Sequence, residues 1–581
     1  MNSIDQMPER SVVYDRHGKF FSRLSGENRK VVPFDQVSND FINALLARED
    51  SRFYNHVGVD PIGIARALVR NLLLGGIRQG GSTISQQLAR NIFPLGGKNF
   101  HRNLLEAALS FRIETELSKE RILECYMNRI YFGSGYYGIE TACQAYFQKP
   151  ASQINLSEAA LLAGLIRSPT RLSPFNDVEA SITQRNSVLK RMHELGLITS
   201  QERLEAMRYK IAVNEDSQPA QPQENWAMDT IRRKLENLLD KTELGEGGLS
   251  IFTSIDPVLQ EQAERALQNR LIEVESRKDY THLSRKDAIA RKSNDYLQAA
   301  TLALDNSTGG ILMIVGGRDY YRSKFNRALL AHRQLGSVVK PFFYAQAFAA
   351  GLSPGQKVED AALTSRDIPR QYGSYRPSNA DGKFGKPREA RDGLIYSRNT
   401  MSIRIGMKGG IDKAADLVIR SNLNKNPKRF PSLFLGAFES DLLRLTSAYT
   451  VFPNRGNMVL PWIIDRVVDA HGNLLYRRQP TKKPLLEPRA AGQVANILQD
   501  VLTRGTGRAS YRYGLRRRAA GKTGTTNNWQ DAWFVGFTSN ITCGVWVGFD
   551  KPRRIAKGAG GSQLALPIWV DIVESAAARN Y

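Results

Sequence analysis

Cysteine is scarce in this chain of 581 residues: Cys125, Cys143 and Cys543 show neither a paired disulfide framework nor the spacing of a metal site. All three read as core residues. Long apolar runs are missing too. None reaches the roughly 18 residues that a membrane-spanning helix needs, and the N-terminus shows no signal-peptide pattern. No internal repeat is found, which sets repeat architectures aside. Negative charge is in deficit, with 57 Asp+Glu against 81 Lys+Arg and a net charge of +24. Such an excess implies an anionic partner. The basic residues are scattered among apolar helices rather than gathered in a recognisable nucleic-acid motif. No nucleic acid is therefore expected, and phosphate or carboxylate substrates fit better.

What is present is an ordinary globular composition, 41% hydrophobic and 24% charged, at a length that asks for two or three domains. Residues 1–35 read as a short β-containing segment around the turn Asp15-Arg16-His17-Gly18. Residues 36–210 read as all-helical. Phe41, Ile42, Leu45 and Leu46 share one face, and Asp60-Pro61 is an N-cap with a first-position proline, opening a helix over Ile64, Leu68, Leu72 and Leu73. Further helical patterns run through 82–93, 100–117, 119–130 and 156–166. The run 214–225 is polar, proline-bearing and without period, which places a linker over 211–250. Residues 251–581 mix α and β, with strands at 300–305 and 311–315 and a hairpin at 532–549 directly after Gly521-Lys-Thr-Gly-Thr525.

The second half carries a nucleophile with a built-in base. In Gly336-Ser337-Val-Val-Lys340-Pro341 a hydroxyl and an amine share one helical face if Ser337 caps a helix whose first turn holds Pro341. Ser-x-x-Lys alone means little, because Ser187-Val-Leu-Lys190 repeats it inside a helical pattern that has no serine at its start. Order gives the first copy its weight. Ser397-Arg398-Asn399 follows, with a hydroxyl that can relay a proton and an amide that can orient Lys340. Lys522-Thr523-Gly524 comes last; on a strand, Lys522 and the hydroxyls can hold a substrate carboxylate, Gly524 permits close approach, and the N–H of Thr525 can complete an oxyanion hole. Ser-x-x-Lys, Ser-x-Asn and Lys-Thr-Gly in this order, with Asp531-Ala-Trp-Phe-Val-Gly-Phe537 after them, resemble the penicillin-binding transpeptidase domain over about 250–575. The resemblance implies that Ser337 attacks the carbonyl before a terminal D-Ala of a stem peptide, that an amine of a neighbouring strand resolves the acyl-serine, and that β-lactams acylate the same residue.

The helical half has a constellation of its own. Glu49-Asp50-Ser-Arg-Phe-Tyr-Asn-His56-Val-Gly58 precedes Gly80-Gly-Ser82-Thr-Ile-Ser-Gln86-Gln87-Leu-Ala-Arg90-Asn91, a glycine-rich turn into a helix N-terminus of the kind that holds phosphate. Arg102 and Glu106 share a face at i and i+4. Separated carboxylates, amides and cations suit glycosyl transfer from a diphosphate. These motifs resemble the peptidoglycan glycosyltransferases that polymerise lipid II, over roughly 30–200. By that resemblance Glu49 is the general base on the acceptor hydroxyl and Glu106 assists at the donor diphosphate. Asp50, His56, Ser82, Gln86, Gln87, Arg90 and Arg102 line the substrate site. Two positions depart from the usual pattern: Arg90 replaces a lysine, and Asn103 replaces the second cation of Arg-Lys-x-x-Glu.

Together the halves resemble a bifunctional class A penicillin-binding protein. The resemblance implies a multidomain α+β chain, with an all-α lysozyme-like glycosyltransferase domain followed by a transpeptidase domain of antiparallel sheet flanked by helices. The partners it implies are lipid II, nascent peptidoglycan, β-lactams as inhibitors, the membrane surface and other cell-wall synthesis proteins. No cofactor is required by the sequence; the resemblance allows a divalent metal, Mg or Mn, at the diphosphate. The expected location is the outer face of a bacterial cytoplasmic membrane, with the anchor lying outside this chain. Two alternatives remain at this level: a transpeptidase with an inactive helical scaffold, and a non-catalytic β-lactam sensor.

Overall fold

The computed structural model describes residues 11–24, 29–66, 82–93, 100–213, 224–240, 244 and 247–581. The expected helical positions Leu68, Leu72 and Leu73, the turn at Gly80-Gly81 and most of the polar run at 214–225 lie outside the described residues.

The first half is built from helices α1 (Asn39–Glu49), α2 (Ile84–Ile92), α3 (Phe100–Glu116), α4 (Lys119–Met127), α5 (Ile139–Phe147), α6 (Leu156–Leu165), α7 (Val178–Glu194) and α8 (Ser200–Arg208). Helix α6 is buried from Ser157 to Leu165, so it has no polar face, and it forms the centre on which α1 and α7 pack. Asn155 and Glu158 close its N-terminus as a reciprocal capping box. Gly164 lets α7 come close, since a Cβ there would stand 3.0 Å from Gln184 Cβ. Ser187 and Lys190 both lie exposed in the middle of α7, which leaves that Ser-x-x-Lys copy on a plain helical surface.

Helices of the second half include α9 (Trp226–Leu235), α10 (Pro257–Glu275), α11 (Lys340–Ala349), α12 (Ala390–Ile395), α13 (Asn399–Gly409), α14 (Leu442–Tyr449), α15 (Pro488–Thr503) and α16 (Ala565–Ala577). The strands of its two five-stranded sheets, counted from the N-terminus of the chain, are β1 (Val12–Tyr14), β2 (Phe20–Arg23), β3 (Ser250–Thr253), β4 (Gln298–Asp305), β5 (Ile311–Val315), β6 (Ile464–Val468), β7 (Leu474–Arg477), β8 (Ala520–Thr525), β9 (Asp531–Phe537) and β10 (Ile541–Gly548). The main sheet is antiparallel in the order β8-β9-β10-β4-β5. Alternate residues feed two cores: Ala299, Ala303, Phe534 and Val545 face the side covered by α10 and α16, while Leu302, Leu304, Val535 and Trp546 face the other. Covered on both faces, β10 is buried from end to end and reads as a continuous apolar run rather than an alternating one.

The short strands expected within residues 1–35 are present as β1 and β2, and they join the second half's sheet: β1 pairs in parallel with β3, Val12 opposite Ser250, and the five-stranded sheet runs β7-β6-β3-β1-β2. One expectation is corrected. The linker placed over 211–250 contains α9, whose Ala227, Met228, Ile231 and Leu235 are buried in the second half's core. The helical pattern over 226–239 is legible in the sequence; its burial in the second half's core is not.

Candidate active sites

Glu49 ends α1 and Asp50 caps it. The Asp50 carboxylate turns inward, accepting the N–H of Ile84 at the start of α2 and contacting His56 Nε2, both at 3.0 Å. The Gly58 N–H donates to His56 Nδ1 at 3.2 Å, so the ring proton sits on Nε2 and is donated to Asp50. Thr83 and Gln86 form a capping box: the Thr83 N–H donates to Gln86 Oε1 at 3.0 Å and the Gln86 N–H to Thr83 Oγ1 at 3.2 Å. Asp50, His56 and Gln86 are buried, and the Asp50 carboxylate, the His56 ring and Gln86 Oε1 join the end of α1, the 53–58 turn and α2. Ser82 stands exposed just ahead of the cap.

Gln87 has a different orientation. Its Nε2 donates to Glu49 Oε2 at 3.0 Å, and its Oε1 accepts from the Tyr126 hydroxyl at 2.8 Å. Burial, with Glu49 and Asp50 contributing, pushes Tyr126 well above the usual tyrosine range, which keeps it a donor. The chain Tyr126–Gln87–Glu49 fixes one carboxylate oxygen; the other lies 4.0 Å from Arg48 Nε. Across the site Glu106 is buried between two guanidinium groups. Arg90 grips it bidentately at 2.9 and 2.6 Å, and Arg102 Nε lies 3.0 Å from Oε1. Two cations around one carboxylate leave the wall net positive, and the shared partner holds both forks still. The side chain of Asn103 lies outside the described residues.

In the second half, Ser337 does not cap an α-helix. Residues Gly336–Val339 form a 3-10 turn, and α11 begins at Lys340. The serine is half-buried at the turn and Lys340 is wholly buried beneath it. Lys340 Nζ donates to Asn399 Oδ1 at 2.8 Å and to the Ser397 carbonyl at 2.9 Å, and pairs with Ser397 Oγ at 3.4 Å. Burial pushes Lys340 well below the usual lysine value, and the charges of Lys522 and Arg398 push the same way. Ser397 has φ +58. It occupies the position after the end of α12 where glycine is usual: the Arg398 N–H donates to Gly393 O at 2.8 Å and the Ser397 N–H to Leu394 O at 3.3 Å, a Schellman closure. A serine held there is strained in favour of its hydroxyl.

Lys522, Thr523 and Gly524 lie on β8, the edge strand of the main sheet. Lys522 is buried, its ammonium donates to Thr523 O at 3.1 Å, and burial pushes it down to about 7. Thr523 Oγ1 pairs with Thr506 Oγ1 at 2.7 Å. Gly524 gives way to the 3-10 turn, because a Cβ would stand 2.6 Å from Val338 Cγ1. Thr525 Oγ1 accepts the Gly561 N–H at 3.2 Å, so its hydroxyl is turned to the neighbouring loop. Gly336, at φ +60, sits so close to the Thr525 carbonyl that a Cβ would be 3.1 Å from it. That approach sets the Ser337 peptide beside Thr525.

Each half matches a family model: residues 17–193 the one described as Transglycosylase, and residues 299–572 the one described as Penicillin binding protein transpeptidase domain. Penicillin-binding protein 1A of Aquifex aeolicus is 33% identical over 98% of this chain and 86% of that protein. Its counterpart in Neisseria flavescens is 31% identical over 97% and 82%. The chain belongs to the bifunctional class A penicillin-binding proteins. The crystal structure of penicillin-binding protein 1A from Haemophilus influenzae has the same fold, with a TM-score of 0.71 at 21% identity over 99% of this chain and 93% of that one. As a class A penicillin-binding protein, the enzyme polymerises glycan strands and cross-links them. Matches on both halves disfavour the transpeptidase-only and sensor alternatives.

Sequence reasoning missed the supports of this class A site. Gly436 is one. It has φ +74, its carbonyl accepts the Gly336 N–H at 3.1 Å, and a Cβ would run into the Gly336 backbone. A lone glycine in a loop carries no signal of this in the sequence. Gly436→Ala is expected to cost on the order of 1–3 kcal/mol, read as a lowered melting temperature together with slower penicillin acylation. Asp360 and Asn379, which stand behind Asn399, are equally silent.

Proposed function

We propose that the two reactions divide among these residues as follows. In the helical half Glu49 takes the proton from the acceptor sugar hydroxyl, with Gln87 and Tyr126 fixing its orientation. Arg90 and Arg102 face the departing diphosphate, and Glu106 acts by aligning those two cations. This sharpens the role of Glu106 from a direct contact to a positioning one. The observation that carries it is the pair of guanidinium groups closed on one buried carboxylate.

For the divalent cation allowed at the diphosphate, the described residues fit poorly. Glu106 is claimed by Arg90 and Arg102, Asp50 by His56 and the Ile84 N–H, and no group of three His, Cys, Asp or Glu converges among the described residues.

In the second half Ser337 Oγ attacks the carbonyl that precedes the terminal D-Ala. Lys340, whose protonated form is disfavoured by burial and two neighbouring cations, accepts the hydroxyl proton. The N–H groups of Ser337 and Thr525 receive the oxyanion, and Ser397 passes the proton on to the leaving amine. Lys522, with the Thr523 hydroxyl, binds the substrate carboxylate. Penicillin enters by the same route and remains as an acyl-serine.

Lipid-borne substrate places the helical half at a membrane surface. No helix among the described residues is long and apolar enough to cross a bilayer. Exposed apolar side chains instead gather beside the site: Tyr54 and Val57 border Gly58, which packs on the backbone of Ser110 and Phe111, and Phe111, Leu104 and Leu105 are exposed on α3. This patch enters the headgroup region, with the +24 charge favouring anionic lipid. Replacing Phe111 and Leu104 with Ser should cut binding to phosphatidylglycerol vesicles several-fold in co-sedimentation while penicillin labelling stays unchanged. Unchanged vesicle binding would remove the patch from the account.

A further inference from the structure

The geometry points to Asp360, Asn379 and Arg398 as a positioning unit for the acylation reaction, an inference that rests on reading Lys340 as the base. All three hydrogen bonds of Lys340 Nζ go to Ser397 and Asn399. Whatever fixes that segment therefore fixes the lysine.

The segment does not hold itself. Ser397 is in the left-handed region, and Arg398, at the N-cap of α13, offers no side chain to the first N–H groups of the helix. Asn379 supplies the cap from a loop upstream: its Oδ1 accepts the N–H of Asn399 at 2.7 Å and of Thr400 at 3.2 Å. Its Nδ2 donates to Asp360 Oδ1 at 3.0 Å and to Lys383 O at 2.9 Å. Asp360, wholly buried, also accepts from Thr400 Oγ1 at 2.8 Å and from Arg398 Nε at 2.8 and 3.1 Å. The rest of the Arg398 fork reaches Asp381 Oδ2 at 2.8 Å and Lys383 O at 2.6 Å. A buried carboxylate with this many partners is a rigid anchor, and removing one member strands the others.

Arg398 acts on Lys340 in a second way. The charged groups facing Lys340 are Lys522 from β8 and Arg398 from the turn before α13, with Asp360 and Asp381 paired to Arg398. Both cations oppose a protonated lysine. Arg398 thus places the acceptors of Lys340 and helps keep that lysine neutral.

The test is the rate of penicillin acylation against pH for the full chain and the variants Asn379→Ala, Arg398→Gln and Arg398→Lys, with rates normalised to the folded fraction from circular dichroism. Asn379→Ala should acylate at least tenfold more slowly. Arg398→Gln should move the acid limb of the profile upward by about half a pH unit or more. Arg398→Lys, which keeps the charge and loses the fork, should hold the limb in place and lower the rate. A purely structural role would move no limb. The absence of either the Asn379→Ala rate loss or the Arg398→Gln limb shift overturns the unit. Lys340→Ala, run alongside, separates the two levels. If it acylates at the wild-type rate, the base assignment itself fails; if it is inert while the other variants behave as wild type, only the positioning unit fails.

Discussion

Ser337→Ala is expected to abolish covalent labelling by penicillin and D-Ala release, a loss on the order of 10⁴-fold or more, while glycan polymerisation from lipid II continues. The size of the effect follows from chemistry that no neighbour can replace. Ser397 Oγ lies 3.4 Å from Lys340 Nζ, but it sits on a left-handed turn after α12. Ser337 lies at the 3-10 turn that Gly336 presses against Thr525. Mass spectrometry of the penicillin adduct and a D-Ala assay give the result directly; an adduct on another serine would sink the assignment. The pH dependence carries a sign on each side. Acylation needs Lys340 neutral, so the rate falls as pH drops through its lowered pKa. Carboxylate binding needs Lys522 charged, so the rate also falls as pH rises past about 7. A penicillin methyl ester, without the carboxylate, should keep the acid limb and lose the alkaline one.

Glu49→Gln removes polymerisation of labelled lipid II, with an expected loss of roughly 10²–10⁴-fold, the usual worth of a positioned general base, and it leaves penicillin labelling intact. Glutamine fills the same space and can keep the contact to Gln87, so folding is not at issue. The contrast with Glu106→Gln is informative. That change removes the one negative charge from a cluster with two cations and frees Arg90 and Arg102 from a common partner. It should weaken donor binding and lower the melting temperature together, whereas Glu49→Gln acts on turnover alone. Gel analysis of glycan length separates them. Wild-type polymerisation by Glu49→Gln would show that another group takes the proton.

Much of both sites was legible because the chemistry is local in sequence. Ser337 and Lys340, Ser397 and Asn399, and Lys522 to Thr525 each lie within one turn or one strand, so order and spacing carry their roles. The capping pair Thr83 and Gln86 is local too, yet the sequence does not show the pairing, because a glutamine bonded to its own helix end and one that binds a ligand look alike. The Asp50–His56 contact is silent in the same way: it spans a turn and closes onto the N–H of Ile84, a residue 34 positions from Asp50.

The sequence by itself determined the division into a helical half and a mixed half, the order of the motifs and the net charge. These depend on periodicity, composition and short spacings, which the chain carries without folding. Only the tertiary structure decided that β1 is a strand of the second half's sheet, that Glu106 is closed between Arg90 and Arg102, and that Asp360 and Asn379 stand behind Asn399. Each of those rests on partners brought from separate segments, and on burial, which makes a charge or an amide commit to whatever group lies within reach. Burial also pushes Lys340 well below the usual lysine value, a shift that no reading of four residues could supply.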